Sequence, residues 1–140
     1  MNKEAVKKML IDNEGISLKP YHCTAGALSI AVGRNLDSRG VSEEEAMFML
    51  DNDITICEKA LDKRYPWWRR LSEKRQSVLI DLMFNLGESR LAKFVNFLQK
   101  LETASSAEDY AGAAEELLDS LYAKQLPGRS KRNADLLRGG

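Results

Sequence analysis

A glutamate near the N-terminus is a candidate general acid. Glu14 lies at the end of a predicted helix, beside Gly15 and just before the segment with the clearest strand pattern. A general acid must hold a proton near neutral pH, and a carboxyl group does so when partial burial raises its pKa. Because residue types alone do not reveal burial, a solvated glutamate at a helix end stays the alternative interpretation at this point.

The cysteine and histidine side chains predict no metal centre. His22 is the single histidine, and it adjoins Cys23 in a predicted strand, so the two side chains point to opposite faces. This geometry argues against a shared zinc ion and against a Cys–His nucleophile pair. Cys57 lies on the apolar stripe of a predicted helix, which favours a packing role. Since no phosphate-binding glycine loop is present either, we expect neither a metal nor a cofactor.

The composition is that of an ordinary globular domain. The chain has 140 residues, of which 44% are hydrophobic and 30% charged, enough for one compact domain or two small lobes. Its 21 Lys and Arg balance 21 Asp and Glu, which disfavours dedicated nucleic-acid binding. A run of cations between Arg64 and Arg75 keeps a helical nucleic-acid binder as a further alternative. No uncharged stretch approaches the roughly 20 apolar residues of a membrane span, so we expect no stable membrane insertion.

The sheet pattern lies between Leu18 and Gly33. Leu28, Ile30 and Val32 alternate with smaller residues after a turn at Thr24-Ala25-Gly26. This alternation is typical of a β-hairpin.

Helical periodicity dominates elsewhere. The predicted helices run from about Lys3 to Ile11, Glu43 to Lys63, Ser72 to Gly87, Leu91 to Leu101, Ala107 to Lys124, and Ser130 to Arg138. Ser42 and Glu45 form a capping box at the start of the second. The predicted buried stripe of that long helix consists of Ala46, Met49, Leu50, Ile54, Cys57 and Leu61. The chain is therefore predicted to be α+β, with the long helix joining a small N-terminal lobe to a helical C-terminal lobe.

Three motifs follow one another in the order and at the spacing of a known family. The first spans Glu14–Leu36, where eight residues separate the glutamate from Cys23 and five separate Cys23 from Ser29. The second is the Phe-Asn-Leu-Gly sequence of Phe84–Gly87, and the third, Tyr122–Arg132, is similar to Trp-x-x-Gln-x-Pro-x-Arg-x-x-Arg. Together they resemble the phage-type lysozymes, the endolysins of glycoside hydrolase family 24, over nearly the whole chain.

The resemblance implies a lysozyme-like fold and an N-acetylmuramidase. Such an enzyme hydrolyses the β-1,4 bond between N-acetylmuramic acid and N-acetylglucosamine in peptidoglycan and lyses bacteria. Glu14 would protonate the leaving oxygen, Cys23 would be the second catalytic residue, and Ser29 would help to hold the water. A thiol with a pKa of about 8.5 is mostly neutral at pH 7, so it needs a nearby positive charge to act as an anion. A small buried hydrophobe is the alternative role for Cys23.

Other positions match residues around the family's site. Asn35, Phe84 and Asn85 match substrate-binding positions, and Arg34, Arg129 and Gln125 match positions that support the site. We expect Arg129 to pair with Glu14. We also expect Arg34 to reach the long helix, with Asp53 as its partner.

Some of these positions have a second interpretation, and some depart from the family pattern. Core packing explains Phe84 as well as sugar contact does, and packing is favoured for Trp67 and Trp68. Ala31 replaces the first glycine of the family's Gly-x-Gly, where the backbone needs the freedom of glycine. Ser29 replaces a threonine and Tyr122 a tryptophan. These departures favour, as an alternative function, a catalytically weakened lysozyme-like protein that binds glycan.

The resemblance also predicts the organisation of the chain. We expect a single lysozyme domain over residues 1–140, with an N-terminal lobe of about 12–63 and a C-terminal lobe of about 64–140. The first helix is expected to pack on the C-terminal lobe. The expected partner is the peptidoglycan glycan strand, bound by a monomer with no nucleic acid involved. The N-terminal residues lack the apolar region of a signal peptide, which predicts synthesis in the host cytoplasm and action on the wall after release.

Overall fold

Seven α-helices and one small antiparallel sheet make up the protein, and the computed structural model describes residues 1–140. The helices are α1 (Lys3–Glu14), α2 (Glu43–Arg64), α3 (Glu73–Leu91), α4 (Val95–Thr103), α5 (Ala107–Leu118), α6 (Leu121–Gln125) and α7 (Pro127–Gly139), with a 3-10 helix at Pro66–Arg70. The strands are β1 (Ser17–His22), β2 (Leu28–Ala31) and β3 (Arg34–Asn35). A small sheet near the N-terminus followed by helices confirms the predicted α+β class. The chain divides into two compact units, an N-terminal unit, Met1–Met49, and a C-terminal unit, Leu50–Gly140.

The sheet of the N-terminal unit has the strand order β1-β2-β3, with both pairs antiparallel. The predicted hairpin of the first two strands is confirmed. The register places Ser29 on the central strand, opposite Tyr21 on one side and Asn35 on the other. The third strand was not predicted, because two residues are too short to show a period of two.

The helix ends of the N-terminal unit follow the capping signals in the sequence. Helix α1 ends at Glu14 and is stopped by Gly15, whose φ is 75°, which confirms the predicted position of Glu14 at the helix end. The capping box of α2 is confirmed: the Glu45 N–H donates to Ser42 Oγ at 3.1 Å, and the Ser42 N–H donates to Glu45 Oε1 at 3.0 Å. Both devices satisfy backbone groups that the helix itself leaves without partners.

The C-terminal unit holds the apolar core. Its side chains with 0% exposure are Leu61, Val78, Leu79, Leu82, Leu91, Leu101, Ala113, Ala114, Leu117, Ala134 and Leu137. Trp68 is 2% exposed and donates its Nε1–H to Asp62 Oδ1 at 2.7 Å, as a buried indole should. Packing, the favoured role for this tryptophan, is confirmed. None of the helices combines the length and the apolar character that crossing a bilayer would require.

Three predictions about the helices are wrong in part. In the stripe of α2, Cys57 and Leu61 are buried, but Met49 and Leu50 are 48% and 38% exposed. Helical periodicity identifies an apolar face and does not show whether that face is covered. The helix predicted over Ala107 to Lys124 is two helices, because the Ser120 side chain caps a new one by accepting from the Ala123 N–H. Helix α7 begins at Pro127 rather than Ser130, since proline is favoured in the first turn.

Candidate active site

Glu14 is the last residue of α1, and its side chain is exposed. The Gly15 N–H donates to the Ile11 carbonyl at 2.7 Å and closes the helix. At φ 75° and ψ 178°, Gly15 adopts a conformation that is almost restricted to glycine. The chain therefore leaves the helix abruptly after Glu14, and the carboxylate lies against Gly33, in the turn between β2 and β3.

Cys23 and Ser29 lie next to each other on the hairpin. Hydrogen bonds from the backbone of Ala25 and Ala27, together with one from the Ser29 hydroxyl, lower the pKa of the Cys23 thiol, although partial burial opposes them. Hydrogen bonds, and not a nearby positive charge, are therefore what stabilises the sulfur. A lowered pKa gives a larger thiolate fraction at neutral pH.

The central strand holds Ser29 in place. This residue is 3% exposed, and its Oγ lies 3.4 Å from the Ala27 carbonyl oxygen. Its neighbour Asn35 is partly buried and accepts the Ser38 N–H on Oδ1 at 3.0 Å. The Asn35 amide nitrogen has no partner within the chain, so it stays available as a donor. The sheet thus brings one predicted substrate-binding residue beside one predicted catalytic residue.

Asp37 is a supporting residue that the sequence did not reveal. Its Oδ2 accepts the N–H of Leu28 at 2.8 Å, and Leu28 begins β2. This bond ties the segment after β3 back to the strand that carries Ser29. The signal available was weak, since an aspartate after Asn35-Leu36 is also common in ordinary turns.

Arg34 reaches the long helix as expected, but Asp53 is the wrong partner. Its NH2 lies 2.8 Å from Glu45 Oε2, and its NH1 donates to Glu45 Oε1 at 3.0 Å and to the Gly40 carbonyl at 3.1 Å. Asp53 lies eight residues further along α2, about 12 Å by helical rise. The capping box fixes Glu45 in the first turn, where the guanidinium meets it. Hydrogen bonds from Arg34 and Ser42 lower the pKa of Glu45 from 4.5 to about 2.

Arg129 also has a different partner from the predicted Glu14. Its Nε and NH2 donate to the carboxylate of Asp81 on α3, with NH2 2.6 Å from Oδ1. Asn133 donates to Asp81 Oδ2 at 2.8 Å and to Tyr122 Oη at 3.3 Å. Burial by itself raises the pKa of Asp81, but the bonds from Arg129 and Asn133 outweigh it, and the pKa lies below its usual value.

A sequence signal for Asp81 did exist. The acid interrupts the apolar run from Val78 to Met83, and a charge within such a run needs a partner. The two-pronged bond to Arg129 supplies this partner with the geometry that guanidinium and carboxylate favour. Arg129 therefore fastens α7 to α3 within the C-terminal unit.

The remaining predicted site residues lie in the C-terminal unit. Phe84 is 49% exposed and borders an open crevice that also contains Cys57, Met83 and Gly87. Asn85 and Gln125 are exposed, and Gln125 borders a second pocket. Exposure of the Phe84 ring favours contact with a ligand over the alternative of core packing.

Cys57 and Trp67 have the packing roles that were favoured for them. Cys57 is 6% exposed, and burial raises the pKa of its thiol. Trp67 is partly buried against the core, with its ring 6.0 Å from that of Tyr65. Of the two thiols, Cys23 is the more accessible.

The basic stretch of the C-terminal unit is largely engaged within the protein. Arg64 lies 3.4 Å from Glu88, and Arg69 bonds to Asp62 and Glu58. Arg70 donates to the carbonyls of Leu101 and Ala104, and Arg75 donates to that of Leu137 while stacking over the Tyr110 ring. These arginines hold helices together, which is the ordinary structural role of such residues.

Comparison with known proteins gives a consistent set of relatives. The family model described as phage lysozyme matches residues 11–135. The SAR-endolysin of Escherichia phage Mu is 31% identical over 126 residues, which cover 86% of this chain and 68% of the endolysin. The pre-baseplate central spike protein Gp5 of Enterobacteria phage T4 is 28% identical over 91% of this chain but only 26% of its own length. Probable T4-type lysozyme 1 of Dictyostelium discoideum is 25% identical over 97% of this chain and 95% of its own.

Proposed function

Because the chain belongs to the phage lysozyme family of glycoside hydrolases, we propose that it is an N-acetylmuramidase. The substrate is bacterial peptidoglycan, and the bond cleaved is the β-1,4 linkage between N-acetylmuramic acid and N-acetylglucosamine. The observation that carries the proposal is the pairing of β1 with β2, which holds Cys23 and Ser29 close together on one hairpin, in the same unit as Glu14.

Glu14 serves as the general acid. Cleavage of a glycosidic bond passes through an oxocarbenium-like transition state, and the leaving oxygen must gain a proton. The carboxyl at the end of α1 is exposed rather than partly buried, so it is accessible to such a substrate, and the bound glycan has to provide the cover that a general acid needs. The abrupt turn at Gly15 and the contact with Gly33 restrict where this carboxyl can lie.

Cys23 and Ser29 act on the other side of the reacting carbon. The lowered pKa of the Cys23 thiol increases its thiolate fraction, and the thiolate form stabilises the positive charge that develops on the sugar. A hydroxyl group can both donate and accept a hydrogen bond, so Ser29 can hold the attacking water. Asn35, beside Ser29 on the sheet, contributes an amide donor to the sugar.

Five further residues, all but Arg34 in the C-terminal unit, bind the glycan or support the site. Phe84 offers an exposed aromatic face to a sugar ring, and Asn85 and Gln125 offer amides. Arg34 and Arg129 support the site indirectly, each by fixing an element through a carboxylate partner. Bacteriolysis follows from cleavage of the glycan strands.

The chemistry of the product tests the proposal. Purified sacculi are digested with the protein, and the fragments are reduced with borohydride and identified by mass spectrometry. A muramidase leaves reduced muramic acid at the new ends, whereas a glucosaminidase leaves reduced glucosamine. Reduced glucosamine would contradict the proposed bond, and binding to sacculi without release of fragments would favour the catalytically weakened alternative.

A further inference from the structure

The turn between β2 and β3 is tight and has an unusual backbone. Ile30 pairs with Arg34, so Ala31, Val32 and Gly33 alone reverse the chain. Ala31 has φ 60° and Gly33 has φ 63°. Two residues with left-handed φ in a turn of three make its path sharply defined.

The register of the sheet brings the end of α1 to this turn. Ser17, the first residue of β1, pairs with Ala31. Only Gly15 and Ile16 separate Ser17 from Glu14. The short segment from Glu14 to Ser17 and the pairing of Ser17 with Ala31 therefore place the candidate acid next to the β2–β3 turn.

A side chain at Gly33 would occupy the space of the Glu14 carboxylate. A β-carbon there would lie 3.2 Å from Glu14 Oε2, 3.5 Å from Cδ and 3.6 Å from Cγ. The other three glycines with positive φ in the N-terminal unit differ: a β-carbon at Gly15 or Gly26 would meet nothing within 4 Å, and one at Gly40 would meet the Leu36 carbonyl at 3.8 Å.

We infer that Gly33 is a positioning residue for Glu14, kept free of a side chain so that the acid can lie flat against the turn. The inference rests on the proposed function, in which Glu14 is the general acid. A contact of 3.2 Å is tighter than carbon and oxygen prefer, so a methyl group at residue 33 moves the carboxylate by a few tenths of an ångström. Proton transfer depends on such placement.

Gly40 provides a matched control for backbone strain. Its φ is 64°, against 63° for Gly33, so alanine must adopt the same left-handed φ at either residue. Only alanine at residue 33 meets the carboxylate. Any difference between Gly33→Ala and Gly40→Ala therefore reports the contact with Glu14 rather than the strain.

The first measurement is steady-state cleavage of purified peptidoglycan. We expect Gly33→Ala to lower kcat by about tenfold or more with KM within about twofold, because binding surfaces are untouched while the acid is misplaced. Gly40→Ala should stay within about twofold of the wild type in both constants. Equal kcat values for the two variants would overturn the inference.

The second measurement is the thermal midpoint, which does not depend on activity. We expect Gly33→Ala to lower the midpoint more than Gly40→Ala does, and this excess should vanish in a Glu14→Ala background, where the clashing atoms are gone. If Gly33→Ala is equally destabilising, or fails to fold, in both backgrounds, the inference is wrong. An inactive wild type would instead contradict the proposed function, and the midpoints would still report the contact.

Discussion

The N-terminal and C-terminal units are held together by different means. In the C-terminal unit, seven leucines, one valine and three alanines are completely buried. In the N-terminal unit, Ser29 is the one buried residue. That unit instead contains five of the six residues with positive φ: Gly15, Gly26, Ala31, Gly33 and Gly40, with Gly87 alone in the other.

This difference shows which interactions determine the backbone path in each unit. Apolar burial stabilises helices without fixing every backbone angle, and it contributes most of the free energy of folding. Hydrogen bonds and left-handed turns add less stability but specify where a chain reverses. The proposed catalytic residues lie in the second kind of environment, which places Glu14, Cys23 and Ser29 through backbone geometry.

The largest effect on stability should come from the core of the C-terminal unit. Leu82→Ala removes a side chain with 0% exposure and should lower the free energy of unfolding by about 2–5 kcal/mol. Leu18→Ala, at a residue of β1 that is 86% exposed, should change it by less than about 0.5 kcal/mol. Urea unfolding of both variants measures the difference. Equal losses of unfolding free energy in the two variants would contradict the proposed difference between the units.

The second largest loss of stability should come from disrupting the polar network around Asp81. Asp81→Asn removes the charge that holds Arg129 while keeping the shape of the side chain, and should cost about 1–3 kcal/mol at neutral pH. Asp119→Asn, at an exposed aspartate of the same unit, is the control and should be nearly neutral. If the urea midpoints of the two variants coincide, the network contributes nothing to the C-terminal unit.

A substitution at Ala31 should have a smaller effect with the opposite sign. A left-handed conformation costs a non-glycine residue about 1–2 kcal/mol, and glycine avoids this cost. Part of the resulting gain in stability is lost, because glycine also increases the conformational entropy of the unfolded chain. Ala31→Gly should therefore stabilise the protein by about 0.5 kcal/mol. Ala111→Gly, within α5, should destabilise it by about 1 kcal/mol. Calorimetry of the two variants shows the signs, and a destabilised Ala31→Gly would contradict the account of the turn.

The smallest effect should be on how the stability of the protein changes toward acid pH, when Glu45 is substituted. Its pKa is about 2 in the folded protein and 4.5 ordinarily, so its contribution is present above pH 4.5 and is lost as pH falls toward 2. Glu45→Gln should lower the thermal midpoint at neutral pH and converge with the wild type near pH 2. Glu44→Gln, its exposed neighbour, is the control. A constant gap between wild type and Glu45→Gln across this range would rule out the pairing with Arg34 as its cause.

The sequence was most informative where structure is local. Alternation predicted the hairpin, and the Ser42–Glu45 spacing predicted the start of α2. The partners of Arg34 and Arg129 were mispredicted, because which carboxylate lies nearest depends on how distant segments pack. The contact between Gly33 and Glu14 was missed for the same reason, since it depends on the register of β1 against β2.

The central claim is that glycan cleavage depends on the carboxyl of Glu14, and one measurement tests it most directly. The rate at which permeabilised Gram-negative cells lose turbidity is compared for wild type, Glu14→Gln and Glu4→Gln, a matched change at the other end of α1. A misplaced or missing general acid costs about 10²–10⁴-fold, so Glu14→Gln should lose at least a hundredfold while Glu4→Gln keeps the wild-type rate. Undiminished clearing by a folded Glu14→Gln would contradict the account.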